Sequence, residues 1–469
     1  MKKKKKMLVW TLLAVMILGL FAFTACGDDN DSGDDNGSDD DNGSEEYNGD
    51  TDEETNGDTD EETNGDTGEG TLDGEITLIN YKIEIDAPLR AFAELYEAET
   101  GVVVNIQSFG GESPYAPALT ALLNAGTEPE IFVFEGLAGF EDARDSDRLY
   151  DLSDQPWVND TDMAYFDDDG RVVGFPVAVE GWGLGYNVEI LESAGVDPAT
   201  MVDIDGIRAA FDQIESMKDE LGLDAVVSMA AGPGMTWVTG LHGVNAYLSL
   251  GLDYDDTSII DMMLDGEVDT DRLTAFAEYY NLLFEHAERN TLLTGGYDQQ
   301  LGDFAVGRTA FIHQGNWVDP TFDELGVDFE MGYVPHAFLS ETTDGIFVGA
   351  PSWYLVNAQA DNIDAALDFL NFMASSPEGH EYMVEHAGMV PAFHSVTLSP
   401  DGPLSRAVQE WSSEGKVFAW HQNEMPSGFG MNTLGPIFAQ MADGEITPEE
   451  FVDLFTEAVE NIGPNEDED

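Results

Sequence analysis

Residues 27–73 hold almost nothing but Asp, Glu, Asn, Gly, Ser and Thr, and that stretch decides where a fold is possible. The octad Asn48-Gly49-Asp50-Thr51-Asp52-Glu53-Glu54-Thr55 recurs at Asn56 to Thr63 and begins again at Asn64. Such a segment has too little apolar surface to offset the entropy of ordering its backbone, so it reads as a disordered acidic tether. Its Asp-x-Asp spacing matches part of a calcium loop, but Asn-Gly pairs without a closing bidentate glutamate or flanking helices favour a solvated linker. As a flexible chain it would reach ~40 Å, and further with self-repulsion. A folded body must therefore come from residues 74–469, roughly 396 positions, more than one core usually serves and suited to two.

Ahead of the tether, Lys2 to Lys6 form a positive region and Met7 to Phe23 an apolar one, the layout of an export signal. Phe23-Thr24-Ala25-Cys26-Gly27 resembles the lipobox of bacterial lipoproteins, with Phe23 where leucine is usual. The resemblance implies a signal peptide over 1–26, acylation of Cys26, and a protein tethered to the cell membrane at its extracellular face. A plain transmembrane anchor is the alternative, but roughly 20 apolar residues are normally needed to span. Each buried methylene of an acyl chain contributes about 0.8 kcal/mol to attachment, so several chains on one cysteine would hold durably. Cys26 is the only cysteine, so no disulfide can form within the chain and the core alone must hold the fold.

The net charge of −77 is spread widely: residues 1–26 carry +5, 27–73 carry −21 and 74–469 carry −61. Beyond the tether stand three lysines, Lys82, Lys218 and Lys416, and nine arginines. Carboxylates at this density repel at low ionic strength, whereas at ~1 M salt the screening length falls to about 3 Å. The acidity points to a salt-loving source. A nucleic-acid partner is excluded, because no basic cluster survives removal of the signal.

Hydrophobic spacing then places the elements. Ile76 to Tyr81 reads as a buried strand, Ala87 to Thr100 as a helix stopped by Gly101, and Val102 to Ile106 as the next strand. A helix over Pro117 to Asn124 leads to the strand Ile131 to Phe134. That alternation predicts parallel β units with ligand loops at the carboxyl ends of the strands. An α-rich region over Glu189 to Thr294, a strand over Phe347 to Asn357, and helices at Asp364 to Ala374 and Pro448 to Asn461 complete the reading. Asp167-Asp168-Asp169-Gly170 reads as a β-turn.

Gly174-Phe175-Pro176-Val177-Ala178-Val179-Glu180-Gly181-Trp182-Gly183-Leu184-Gly185-Tyr186-Asn187 is similar to the first interlobe crossover of the maltose-binding-protein-like receptors of ABC importers. Gly126-Thr127-Glu128-Pro129-Glu130-Ile131 resembles that family's Gly-x-x-Pro-Asp signature, with Glu130 for aspartate. Phe304 to Phe311 with Gly315-Asn316-Trp317, Phe369-Leu370 with Ser376 to Gly379, and Gly388-Met389-Val390-Pro391 follow in the family's order. The resemblance implies an α/β, two-lobed periplasmic-binding-protein-like fold with a ligand cleft between lobes. It divides the chain into 74–179 plus 339–388 for one lobe and 180–338 plus 389–469 for the other, with crossings near Val179, Phe338 and Met389. It implies a monomer that needs no cofactor or metal, catalyses nothing, and hands a carbohydrate ligand to the permease subunits of an ABC importer.

A sugar presents apolar faces and a rim of neutral hydroxyls, so its receptor needs flat aromatics beside carboxylate or amide groups. The resemblance places Glu180 and Trp317 in the cleft. Tyr81, Tyr115, Glu135, Trp182, Trp237, Asn316, Trp353, Glu424, Phe429 and Met431 are the further candidates, although Met431 stands where an aromatic is expected. Gly315 lets the backbone beside Trp317 approach a ligand closely, and Glu180 lies among apolar residues where an unpartnered carboxylate would be costly. Trp353, in an apolar strand, also suits the core, as does Trp237 at the start of a helix. Two other readings stay open. The same fold with an aromatic cage and carboxylates would hold a polyamine or quaternary-ammonium osmolyte. A secreted glycosidase would use paired carboxylates such as Glu112, Glu135 and Glu180, although carboxylates lie close together by chance in so acidic a chain. His380 and His386 read as surface residues rather than metal ligands.

Overall fold

The computed structural model describes residues 74–109, 115–134, 136–426 and 428–462. The expected signal, Cys26, the tether, Glu112 and Glu135 lie outside the described residues. Among the described residues no helix is long and apolar enough to cross a membrane.

Strand β1 (Glu75–Asn80) lies parallel to β2 (Val103–Ser108) and to β3 (Ile131–Phe134), as strand–helix–strand alternation requires. The helix Asp86–Thr100 between the first two buries Leu89, Phe92, Ala93 and Tyr96, one face of a 3.6-residue period, and ends where Gly101 takes φ 84. Glu130, standing where the family has aspartate, accepts the Thr77 N–H at 2.7 Å and so ties the loop before β3 to β1. The segment 165–176 supplies β4 (Tyr165–Phe166) and β5 (Val172–Pro176), joined through a turn in which Gly170 N donates to Asp167 O at 2.9 Å.

From β5 the chain crosses through 177–179 into β6 (Glu180–Trp182) and β7 (Leu184–Asn187). After a helical stretch come β8 (Val227–Ser228), β9 (Phe311–Ile312) and β10 (Met331–Val334), then β11 (Ile346–Gly349), β12 (Trp353–Val356) and, late in the chain, β13 (Val417–Phe418). The first lobe is built on the six-stranded order β2-β1-β3-β12-β5-β4 and the second on β10-β7-β9-β8, while β13-β11-β6 form a third, smaller sheet. This is a two-lobed α/β fold.

One expected strand divides in two. Apolar spacing predicts one continuous strand over Phe347 to Asn357, but β11 pairs with β6 and β12 pairs with β3 and β5, in different sheets. Pro351 in the Ala350–Ser352 link carries no N–H for a ladder, and a run apolar on both sides of it hides the break. The return to the first lobe therefore falls at 350–352 rather than near Phe338, which packs against Phe276 and Tyr279 in the second-lobe core. The three crossings run side by side: Val177 N donates to Ser352 O at 3.2 Å and Val179 N to Val390 O at 2.9 Å.

Aromatic packing fills both lobes. Phe92 stacks on Tyr382 at 4.7 Å in the first, and Phe276, Tyr280, Phe438 and Phe451 interlock in the second. The helical run that later supplies the cleft wall ends with Val244–Ser249, whose last carbonyls are capped by Arg272: its Nε donates to Tyr247 O at 2.5 Å and its Nη2 to Leu250 O at 2.7 Å. Burial lowers that guanidinium's pKa to about 10, with Tyr247 and Asp269 opposing.

Candidate binding cleft

A cleft of about 2530 Å³ opens between the lobes. The loop after β1 brings Tyr81, Lys82 and Glu84 to it, as expected for the carboxyl end of a parallel strand. Asn80 fixes that loop: its Oδ1 accepts the Lys82 N–H at 3.1 Å and its Nδ2 donates to Lys82 O at 2.7 Å. Lys82 is thereby turned toward Glu180 on the first crossing, with which it makes a buried ion pair, and lies 3.6 Å from Glu84. Two carboxylates therefore share one ammonium on the cleft floor. Burial raises the Glu84 pKa above its ordinary value; Lys82 opposes this and the Glu180 charge adds to it. The triad answers the question posed by Glu180, since a buried carboxylate is tolerable once paired.

Aromatic rings form the walls. On the first lobe Tyr81 and Tyr115 meet edge to face at 5.7 Å, and the Tyr115 hydroxyl donates to Val133 O at 2.5 Å. On the second, Trp237, Trp317 and Tyr297 converge: the two indoles lie 6.3 Å apart and Trp237 lies 5.9 Å from Tyr297. Trp317 is held by its Nε1 donating to Gln314 Oε1 at 3.0 Å. Asn316, buried behind it, accepts the Gly181 N–H at 2.8 Å and donates to Ser405 Oγ at 3.1 Å, so it ties the crossing to the second lobe. Asp319 at the rim accepts from Leu404 N at 3.3 Å and Ser405 N at 2.7 Å, filling the first turn of the helix Pro403–Ser413. Burial raises its pKa to about 6 against those bonds.

Three turns with i→i+5 bonding, Trp237–Gly243, Tyr382–His386 and Phe429–Leu434, all contribute to the lining. The first explains the proximity of Trp237 to His242, whose rings meet at 5.6 Å. In an α-helix, residues five apart point about 140° from each other. The first and third turns touch backbone to backbone, since a Cβ on Gly240 would collide with the Gly430 carbonyl and the Gly435 amide.

Of the sequence-based candidates, Tyr81, Tyr115, Glu180, Trp237, Trp317 and Met431 line the cleft, and Asn316 lines a small recess of its floor. Four do not. Trp182 is 1% exposed and packs between His336 at 4.1 Å and Phe347 at 5.2 Å, because β6 has by then run beneath the floor. Trp353 stacks on Phe134 and donates to Met163 O at 2.7 Å in the first-lobe core. Phe429, half-buried, packs against the second-lobe core, and Glu424 turns to His421 Nδ1 at 2.8 Å. Lys82, His242, Tyr297 and Gln422 also line the cleft without being among those candidates. Lys82 was legible as a lone lysine in a predicted ligand loop, whereas nothing in the sequence marks an i→i+5 turn that brings His242 forward. His386, expected at the surface, is exposed and borders the cleft. Among the described residues no group of three or more His, Cys, Asp or Glu side chains is arranged to hold a metal ion.

A family model of bacterial extracellular solute-binding proteins matches residues 91–410. The chain is similar to an uncharacterised ABC transporter extracellular-binding protein of Pyrococcus horikoshii, 22% identical over 403 residues and covering 82% of this chain and 86% of that one. Among solved structures, it resembles a sugar transporter protein of Bacillus licheniformis in complex with stachyose, with TM-score 0.65 at 18% identity over 83% of this chain and 100% of that one. It also resembles an ABC substrate-binding protein of Listeria monocytogenes in complex with cycloalternan, with TM-score 0.63 at 18% identity over 83% and 99%.

Proposed function

This chain belongs to the bacterial extracellular solute-binding proteins, and from that membership we propose that its cleft takes a neutral oligosaccharide and that the loaded protein serves the permease of an ABC importer. The observation that carries the reading is the two aromatic groups lining one cleft, Tyr81 with Tyr115 and Trp237 with Trp317 and Tyr297, beside an ammonium already shared by two carboxylates. Flat rings suit the C–H faces of sugar rings, and polar groups at the floor and rim suit hydroxyls. Solved structures of similar fold hold stachyose and cycloalternan, uncharged oligosaccharides, which supports the same class of ligand here. Lipid attachment at Cys26, a long acidic tether, residence at the extracellular face and a salt-rich setting complete the proposal. Closure of the lobes about the three adjacent crossings would let a permease distinguish loaded from empty protein.

Tryptophan emission tests this directly, because Trp237 and Trp317 line the cleft. Titration with stachyose, cycloalternan and a panel of other neutral oligosaccharides is expected to give a saturable change with at least one of them. Trp317→Ala is expected to weaken it about tenfold or more, as loss of a stacking ring does. Flat titrations across the panel, or new reducing ends appearing on incubation, would overturn the reading.

A further inference from the structure

We infer that His242 is a positioning residue: it holds the Gln422 side chain so that the amide Nε2 is offered to the cleft as a hydrogen-bond donor to a ligand oxygen. The ring of His242 lies among four of the eight tryptophans, 5.0 Å from Trp317, 5.3 Å from Trp420, 5.6 Å from Trp237 and 6.4 Å from Trp182. Burial there lowers its pKa to about 4; the bond to Gln422 opposes the shift and the Lys82 charge adds to it. At neutral pH the imidazole is therefore uncharged, with one nitrogen donating and the other accepting. Its Nδ1 lies 3.0 Å from Gln422 Oε1, and because an amide oxygen only accepts, that contact is a hydrogen bond in the tautomer that carries the proton on Nδ1.

Gln422 is fixed at both ends by one helical run. Its backbone N–H donates to Asn245 Oδ1 at 3.0 Å, Asn245 Nδ2 donates to Ala419 O at 3.0 Å, and His242 takes the side-chain oxygen. Gln422 is 3% exposed and lines the cleft, and its Nε2 has no hydrogen bond among the described residues. A planar amide whose oxygen is engaged by the wall presents its NH₂ on the other side, and a ligand that covers this donor without accepting from it leaves the donor unsatisfied and is disfavoured. The ligand half of this inference rests on the receptor reading; the geometry of the His242–Gln422 pair does not.

Two measurements separate those halves. Nitrogen-15 NMR of labelled histidines in the unliganded protein, with His242 assigned by loss of its signal in His242→Asn, is expected to show the neutral Nδ1–H tautomer. The Nε2–H tautomer or a charged ring at neutral pH would overturn the inference whether or not any sugar binds. With the oligosaccharide that responds in the emission titration, His242→Phe and Gln422→Met should each weaken binding about tenfold, and the double variant no more than the worse single one. His242→Asn, which keeps a donor near the Nδ1 position, should stay within about threefold of the parent. Additive losses, or unchanged affinity in Gln422→Met, would overturn the inference. If no sugar binds the parent protein, the receptor reading fails and the tautomer alone decides the pairing.

Discussion

Glu84 is the member of the floor triad with least support, since Lys82 pairs more closely with Glu180. Its folded pKa lies above the ordinary 4.5, so the native state binds the proton more tightly than the unfolded chain does. Stability from this group is present below the unfolded pKa and lost as pH rises through the folded one. Glu84→Gln, which keeps shape and removes the charge, should therefore raise the melting temperature more at about pH 8 than at about pH 5. Thermal unfolding of both proteins across that range checks it, and a difference that stays flat or shrinks with rising pH would contradict the assignment. At this scale the sequence was a partial guide. Glu180 and Trp317, placed in the cleft by the resemblance, line it, and Trp353 lies in the core that its apolar strand also suited, whereas nothing in the sequence distinguishes Trp182, which packs beneath the floor. The Lys82–Glu180 pair joins positions 98 apart, and no local pattern announces it.

The elements were more legible than the site because periodicity is local. The opening parallel units, the Gly101 stop and the helices Ile363–Ser375 and Pro448–Glu460 follow from apolar spacing and capping residues, with Thr447 and Glu450 forming a capping box at the last. What spacing cannot convey is a turn with i→i+5 bonding or a strand pair split by one proline, since both keep an unbroken apolar pattern. The contact between Trp237–Gly243 and Phe429–Leu434 also depends on two glycines whose backbones touch. Gly240→Ala would push its Cβ into backbone atoms that have no rotamer to yield, at a cost of about 1–3 kcal/mol. It should lower the melting temperature and weaken ligand binding together, by displacing Trp237 and His242. Gly234→Ala, whose Cβ would meet nothing within 4 Å, should change stability little. Equal behaviour of the two variants would show that the glycine contact does not hold the wall.

Over the whole molecule, charge and ligand class are linked. Most cations of the described residues already sit in ion pairs, such as Arg148 with Glu128 and Arg289 with Asp443, and the large remainder of carboxylates repel one another less as salt screens them. A cleft relying on attraction to a charged guest would lose grip as salt rises, whereas ring stacking and hydrogen bonds to neutral hydroxyls would not. The aromatic walls and carboxylates would also suit a polycation, so ligand charge is the point on which the account turns. Calorimetric titration of the protein with the responding oligosaccharide and with a polyamine, at ~0.1 M and ~1 M salt, tests it most directly. The account predicts saturable sugar binding of nearly equal affinity at both salt levels, undisturbed by an excess of polyamine. Saturable polyamine binding that weakens with salt, beside a flat sugar titration, would contradict it.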